Sequence, residues 1–154
     1  MMQQPANSTF KALQMITLAL CSGVILFLLV AIFINQHKLV LMPANDPNTI
    51  IIYIAIALSI VSVISSNILF NILLKKIDTN TSVKEKFTKY VAAYITRYAL
   101  LEGAALFNVV ALLLSGCLIS AGVALMLIIF MLSIRPQRSK TIEDLKIYYP
   151  DTLE

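Results

Sequence analysis

Glu102 is the residue in this sequence best placed to do chemistry. It is the only carboxylate inside the long apolar runs, in Ala99-Leu100-Leu101-Glu102-Gly103-Ala104-Ala105. An ionisable group in hydrocarbon is costly, and it serves there as a polar anchor between helices, a carrier of protons or a ligand for a cation. Arg97 stands five residues earlier. On a helix that is about 7.5 Å along the axis and about 140° round it, so the two do not pair within one helix. Asn108 falls within about 20° of Arg97 by the same arithmetic.

Partners for Glu102 must come from other segments. Asn71 and Asn67 lie four and eight residues in from Lys75, at depths of about 6 and 12 Å that bracket Glu102. Ser59, Ser62, Ser66, Asn67 and Asn71 share a half-turn arc, which should face other helices because unsatisfied amides are expensive in hydrocarbon. Gln14, three residues past Lys11, is at a similar depth. We expect Glu102 to meet Asn67 or Asn71, with Gln14 beside them. In that role Glu102 fixes helix register. Proton or cation handling is the second reading, although a lone acid with no second acid in the outer half makes a poor proton wire. A contact to a partner's helix is the third.

Other chemistries lack their residues. There is one His (His37) and two Cys (Cys21 and Cys117), too few for a zinc cluster or a two-histidine site. The cysteines fall at different depths and read as small packing residues. No nucleophile–base set or phosphate loop is present, so neither enzymatic activity nor a cofactor is expected.

The elements that position these residues follow from composition. The chain has 154 residues, 59% hydrophobic and 13% charged, against about 45–50% and 25% for a soluble domain. Crossing a bilayer takes about 20 apolar residues. Residues 12–34 and 49–74 carry no charge, residues 98–115 carry only Glu102, and residues 117–134 carry none. We read an all-α, four-helix integral membrane bundle with helices at 12–34, 49–74, 83–115 and 117–134. Residues 1–134 form one domain, and 135–154 a short tail with a short helix near its middle. The first segment is too long for a signal-peptide core and reads as uncleaved. Ser115-Gly116 marks a tight hairpin between the last two helices.

The third helix is the longest. Ser82-Val83-Lys84-Glu85 has the capping-box spacing, and neither Gly nor Pro intervenes before Glu102. Its first half carries Tyr90, Tyr94 and Tyr98 at four-residue spacing, read as anchors at the membrane surface, with Arg97 reaching the surface along its own face. Gly103, Ala104 and Ala105 on this helix, with Gly116, Ser120 and Ala124 beyond the turn, provide small faces for close hairpin packing.

Orientation follows from Lys and Arg. One of them, Lys38, lies on the side of the first loop and the hairpin turn. Eleven lie on the other side, among them Lys75, Lys76, Arg97 and Arg135. Both termini and the 75–97 loop are therefore expected to be cytoplasmic. The net charge of +4 is accounted for by an anionic leaflet, and no nucleic acid is called for. Beyond the lipid bilayer, the partner expected is a membrane protein or a second copy of the chain.

Two resemblances accompany this reading. The stretch from Arg97 to Asn108, the Ser115-Gly116 turn and the tail Arg135-Pro136…Ile142-Glu143-Asp144-Leu145 resemble a group of small, uncharacterised four-helix proteins of bacterial inner membranes. That resemblance implies location and topology, and no activity. Residues 99–113 are similar to the carboxylate-bearing helix of rotary ATPase proteolipid subunits. The glycine-rich partner helix of those subunits is missing here, so the likeness implies a shared short motif.

Overall fold

Apolar runs fix where helices form, and particular residues fix where they stop. The computed structural model describes residues 5–41, 49–77 and 82–136. Helix α1 spans Pro5–Asn35, α2 Thr49–Lys75, α3 Val83–Ser115 and α4 Leu118–Ser133. The first helix begins earlier than its apolar run because Pro5 fits a first helical position, where its fixed φ is favourable and no N–H is needed. Helix α3 starts at the capping box: Ser82 accepts a hydrogen bond from the Glu85 N–H. It then continues unbroken through Arg97 for 33 residues, about 50 Å. The tail beyond Pro136 lies outside the described residues.

The architecture is an all-α bundle of four helices. Three of them are long and apolar enough to cross a membrane. The fourth is 16 residues, about 24 Å, and falls short of the expected 117–134 span. Cys117 has an extended backbone before its first turn, and Ile134 leaves the helical conformation ahead of Pro136.

Helix α3 is the hub: α1, α2 and α4 all pack on it, and α1 and α2 make no comparable contact with each other. Its inward side carries Tyr90, Tyr98, Leu101, Ala105, Val109 and Leu112, all essentially inaccessible. The outer surfaces of the other helices are apolar and bulky, with Met15, Leu18, Phe33, Ile60, Ile64 and Met126 among the exposed side chains. Outer surfaces this apolar on α1, α2 and α4 suit a protein whose solvent is lipid.

The interior of α2 is small and polar instead. Ile52, Ala55, Ser59, Ser62, Ser66 and Phe70 are its buried residues, three or four apart. The three serines of the expected arc are among them, whereas its Asn67 is half-buried and its Asn71 exposed. The hydroxyls of Ser59 and Ser66 donate to backbone carbonyls of their own helix, Ala55 and Val63. They are thereby satisfied while leaving room for close helix approach.

One end of the bundle is clasped by backbone. The Val40 N–H donates to the Gly116 carbonyl at 3.1 Å, and the Leu118 N–H donates to the Val40 carbonyl at 2.9 Å. The segment leaving α1 is thus tied to the α3–α4 turn. Asn35, the last residue of α1, adds a side-chain bridge: its amide donates to Ala31 and Leu113 carbonyls, both at 3.1 Å. Gly116 has φ 67 and caps α3 through its N–H to Leu112. A Cβ there would lie 2.5 Å from the Lys38 carbonyl oxygen.

Candidate functional site

Two polar seams run along α3, one toward α2 and one toward α1. The α2 seam begins with Arg97, whose guanidinium donates to the Asn67 side-chain oxygen and lies over the Phe70 ring, 4.7 Å from its centroid. Asn67 donates its own amide to the Val63 carbonyl at 2.9 Å. Phe70 also packs edge-on against Tyr94, with centroids 4.8 Å apart, and Tyr94 continues to Tyr90 and Tyr98. Three turns deeper, Asn108 donates to the Ser59 hydroxyl at 2.6 Å and to the Ala104 carbonyl at 2.8 Å. Arg97 and Asn108 thus meet the same neighbour, as their shared angular position requires.

That arrangement corrects the expected partner of Glu102. Arg97, not Glu102, takes Asn67. Asn71 is exposed. Gln14 is exposed as well and donates to the Pro136 carbonyl at 3.4 Å, away from Glu102. The reason lies in the 140° between Arg97 and Glu102. Once the Arg97–Asn108 face packs on α2, Glu102 must point elsewhere.

Glu102 turns instead toward α1, near enough to Cys21 for the two groups to interact electrostatically. Cys21 is buried, as is Thr17 one turn before it. Thr17 meets the Tyr98 hydroxyl, which donates to the Met131 carbonyl at 3.1 Å. The α1 seam therefore contains Thr17 and Cys21 opposite Tyr98 and Glu102. Glu102 lies at its edge, half-buried, and makes no hydrogen bond or ion pair among the described residues.

Tyr94 and Tyr98 were expected at the membrane surface. Both are buried, with Tyr90, under α2 and α4. Four-residue spacing lines them up on one helix face but does not say whether that face meets lipid or protein. The sequence signal for burial was Phe70, an aromatic at matching depth on α2. Lys75, Lys76 and Arg135 are exposed at the helix ends.

The small faces divide. Gly116, Ser120, Ala124, Ala104 and Ala105 are buried, as close packing needs, whereas Gly103 is exposed and a Cβ added there would meet nothing within 4 Å. Both cysteines are buried and unpaired with each other, and the Cys117 thiol donates to the Leu41 carbonyl at 3.3 Å. Among the described residues, no group of three or more His, Cys, Asp and Glu is placed to hold a metal ion. No family model, curated protein or solved structure matches the chain.

Proposed function

We propose that this chain is an integral protein of a bacterial inner membrane that works through contacts with other membrane proteins, as an accessory subunit or scaffold, without catalysis of its own. One observation carries the reading. Glu102 stands half-exposed on an apolar helix without an intramolecular hydrogen-bonding partner among the described residues, beside the exposed Ala99 and Gly103. A carboxyl so placed in hydrocarbon calls for a polar group from outside the bundle. The eleven-to-one division of Lys and Arg supports cytoplasmic termini and a cytoplasmic 75–97 segment. Helix α4 then spans with local thinning of the bilayer, a modest cost for a helix held by longer neighbours.

The test is purification of the tagged chain from its native membranes in mild detergent. A stoichiometric protein partner is expected, reduced by Gly103→Ile and retained in Glu102→Gln. A chain that emerges free of other proteins overturns the reading. Orientation is checked by labelling Lys84→Cys and Lys38→Cys with an impermeant thiol reagent, which should react from opposite sides.

The α1 seam supports a second reading, in which Glu102 handles protons or a cation with Cys21, Thr17 and Tyr98 beside it. Flux into liposomes that is abolished by Glu102→Gln, with folding intact, would favour it over the first.

A further inference from the structure

At the end of the bundle opposite the clasp, α3 runs on past α4. The Tyr98 hydroxyl meets the Met131 carbonyl. Beyond that contact α4 ends at Ser133, about 3 Å further along, whereas α3 continues back to Val83, about 22 Å. Phe87 stands eleven residues before Tyr98, within about 20° of it round the helix and about 16 Å further out. It therefore faces the lane that α4 would occupy if it continued, yet it is only 5% exposed. Lys86 beside it is 7% exposed and makes no hydrogen bond or ion pair among the described residues. A lysine is almost never buried without a partner. Helices α1 and α2 do not close over the lane, since they make no comparable contact with each other. Pro136, the last described residue, is buried, and its carbonyl accepts from Gln14. The chain thus leaves the described bundle at the mouth of this lane.

We propose that residues 141–148 of this chain fill the lane, laying Ile142, Leu145 and Tyr148 on Phe87 and Val91 and bringing a carboxylate of Glu143 or Asp144 to the Lys86 ammonium. Three features select this segment over lipid or a second copy. The first is reach: Ile142 follows Pro136 by six residues, up to about 20 Å of chain, enough to arrive at Phe87. The second is pattern. Ile142, Leu145 and Tyr148 recur every third residue on one side of a helical turn, and Glu143 and Asp144 flank that side. The third is charge. Residues 141–154 carry Glu143, Asp144, Asp151 and Glu154 against Lys146 alone, while the overhang of α3 carries Lys84, Lys86, Lys89 and Arg97 against Glu85 alone. Attachment at Pro136 gives the segment an effective concentration of about a millimolar, which any free competitor must match. The inference concerns the chain's own packing and stands or falls separately from a partner at Glu102.

The experiment uses the purified full chain in bicelles of phosphatidylcholine with a minority of phosphatidylglycerol. Cys21 and Cys117 are replaced by Ala. Leu145→Cys is then combined with Val91→Cys, which is half-buried on the lane side of α3, or with its neighbour Ala92→Cys, which is exposed. Oxidation should close a disulfide within one chain at least about tenfold faster for the Val91→Cys pair than for the Ala92→Cys pair. Lys86→Glu should slow the Val91→Cys closure about tenfold, because it sets like charges together. Adding Glu143→Lys and Asp144→Lys to that chain should restore the rate. Equal rates for the two cysteine pairs overturn the inference, as they would if lipid filled the lane. Disulfides formed mainly between chains overturn it in favour of a second copy. A swapped-charge chain that stays slow also overturns it. If Lys86→Glu fails to fold, the comparison of the two cysteine pairs decides alone.

Discussion

The two sides of α3 are built on opposite terms. Toward α2 and α4 the polar side chains find partners within the chain, although the Asn108 side-chain oxygen and the Ser120 hydroxyl are buried without a hydrogen bond among the described residues. Arg97 finds Asn67 and the face of Phe70, Asn108 finds Ser59, and Tyr98 finds the Met131 carbonyl. On the opposite side the helix presents Ala92, Ala99 and Gly103 with nothing packed on them, and Glu102 stands at the margin. Both sides carry polar groups at comparable depth. What separates them is whether the chain supplies the partner. A polar group paired internally specifies the fold, and an exposed one left over at membrane depth is open to an encounter.

The glycines sharpen this contrast most. Gly116 and Gly103 lie on one helix axis, but only Gly116 has left-handed φ and a carbonyl 2.5 Å from the site of a Cβ. Gly116→Ala should cost about 2–4 kcal/mol, from the left-handed conformation and the forced opening of the clasp with Lys38 and Val40. Reversible unfolding of the purified chain in mixed micelles measures it.

Next in size is Asn67→Leu, which deprives Arg97 of its acceptor on α2. A loss of about 1–3 kcal/mol is expected by the same measurement, more than for an exposed polar residue, because a charged group loses a hydrogen bond in a partly buried site. Asn108→Ala should cost about 1 kcal/mol, since polar contacts between membrane helices are worth about 0.6–2 kcal/mol each. If instead both substitutions are neutral, the α2 side is no better satisfied than the open side and the contrast fails.

Much of this was legible in the residues. The helices, the capping box at Ser82, the hairpin glycine and the buried serine arc of α2 follow from apolar runs, turn residues and three- or four-residue spacing, which are local properties. Which neighbour a polar residue meets is not local. Depth arithmetic brought Glu102, Asn67 and Asn71 to the same level, but depth is one coordinate of two. The angular one was available from the 140° between Arg97 and Glu102, and from the coincidence of Arg97 with Asn108. Those two residues on one face were the better predictor of the α2 contact. The clasp of Val40 with Gly116 and Leu118 left no signal in the sequence, because backbone groups make it and they look alike in every residue.

The smallest expected effects lie on the open side, and they test the contrast from its other end. Gly103→Ala adds a methyl group to a position with no atom within 4 Å and raises helix propensity, so stability should hold or rise by up to about 1 kcal/mol. Glu102→Gln replaces a carboxyl that has no hydrogen-bonding partner among the described residues, so unfolding should move by less than about 0.5 kcal/mol. Were Glu102 a register anchor within the bundle, Glu102→Leu would cost as much as Asn67→Leu, and the same micelle unfolding experiment would show it. A neutral result in unfolding together with a loss of association in Glu102→Leu would place the cost of this carboxyl between molecules rather than within one. That combination is expected if α3 is finished on one side by its own chain and on the other by a partner.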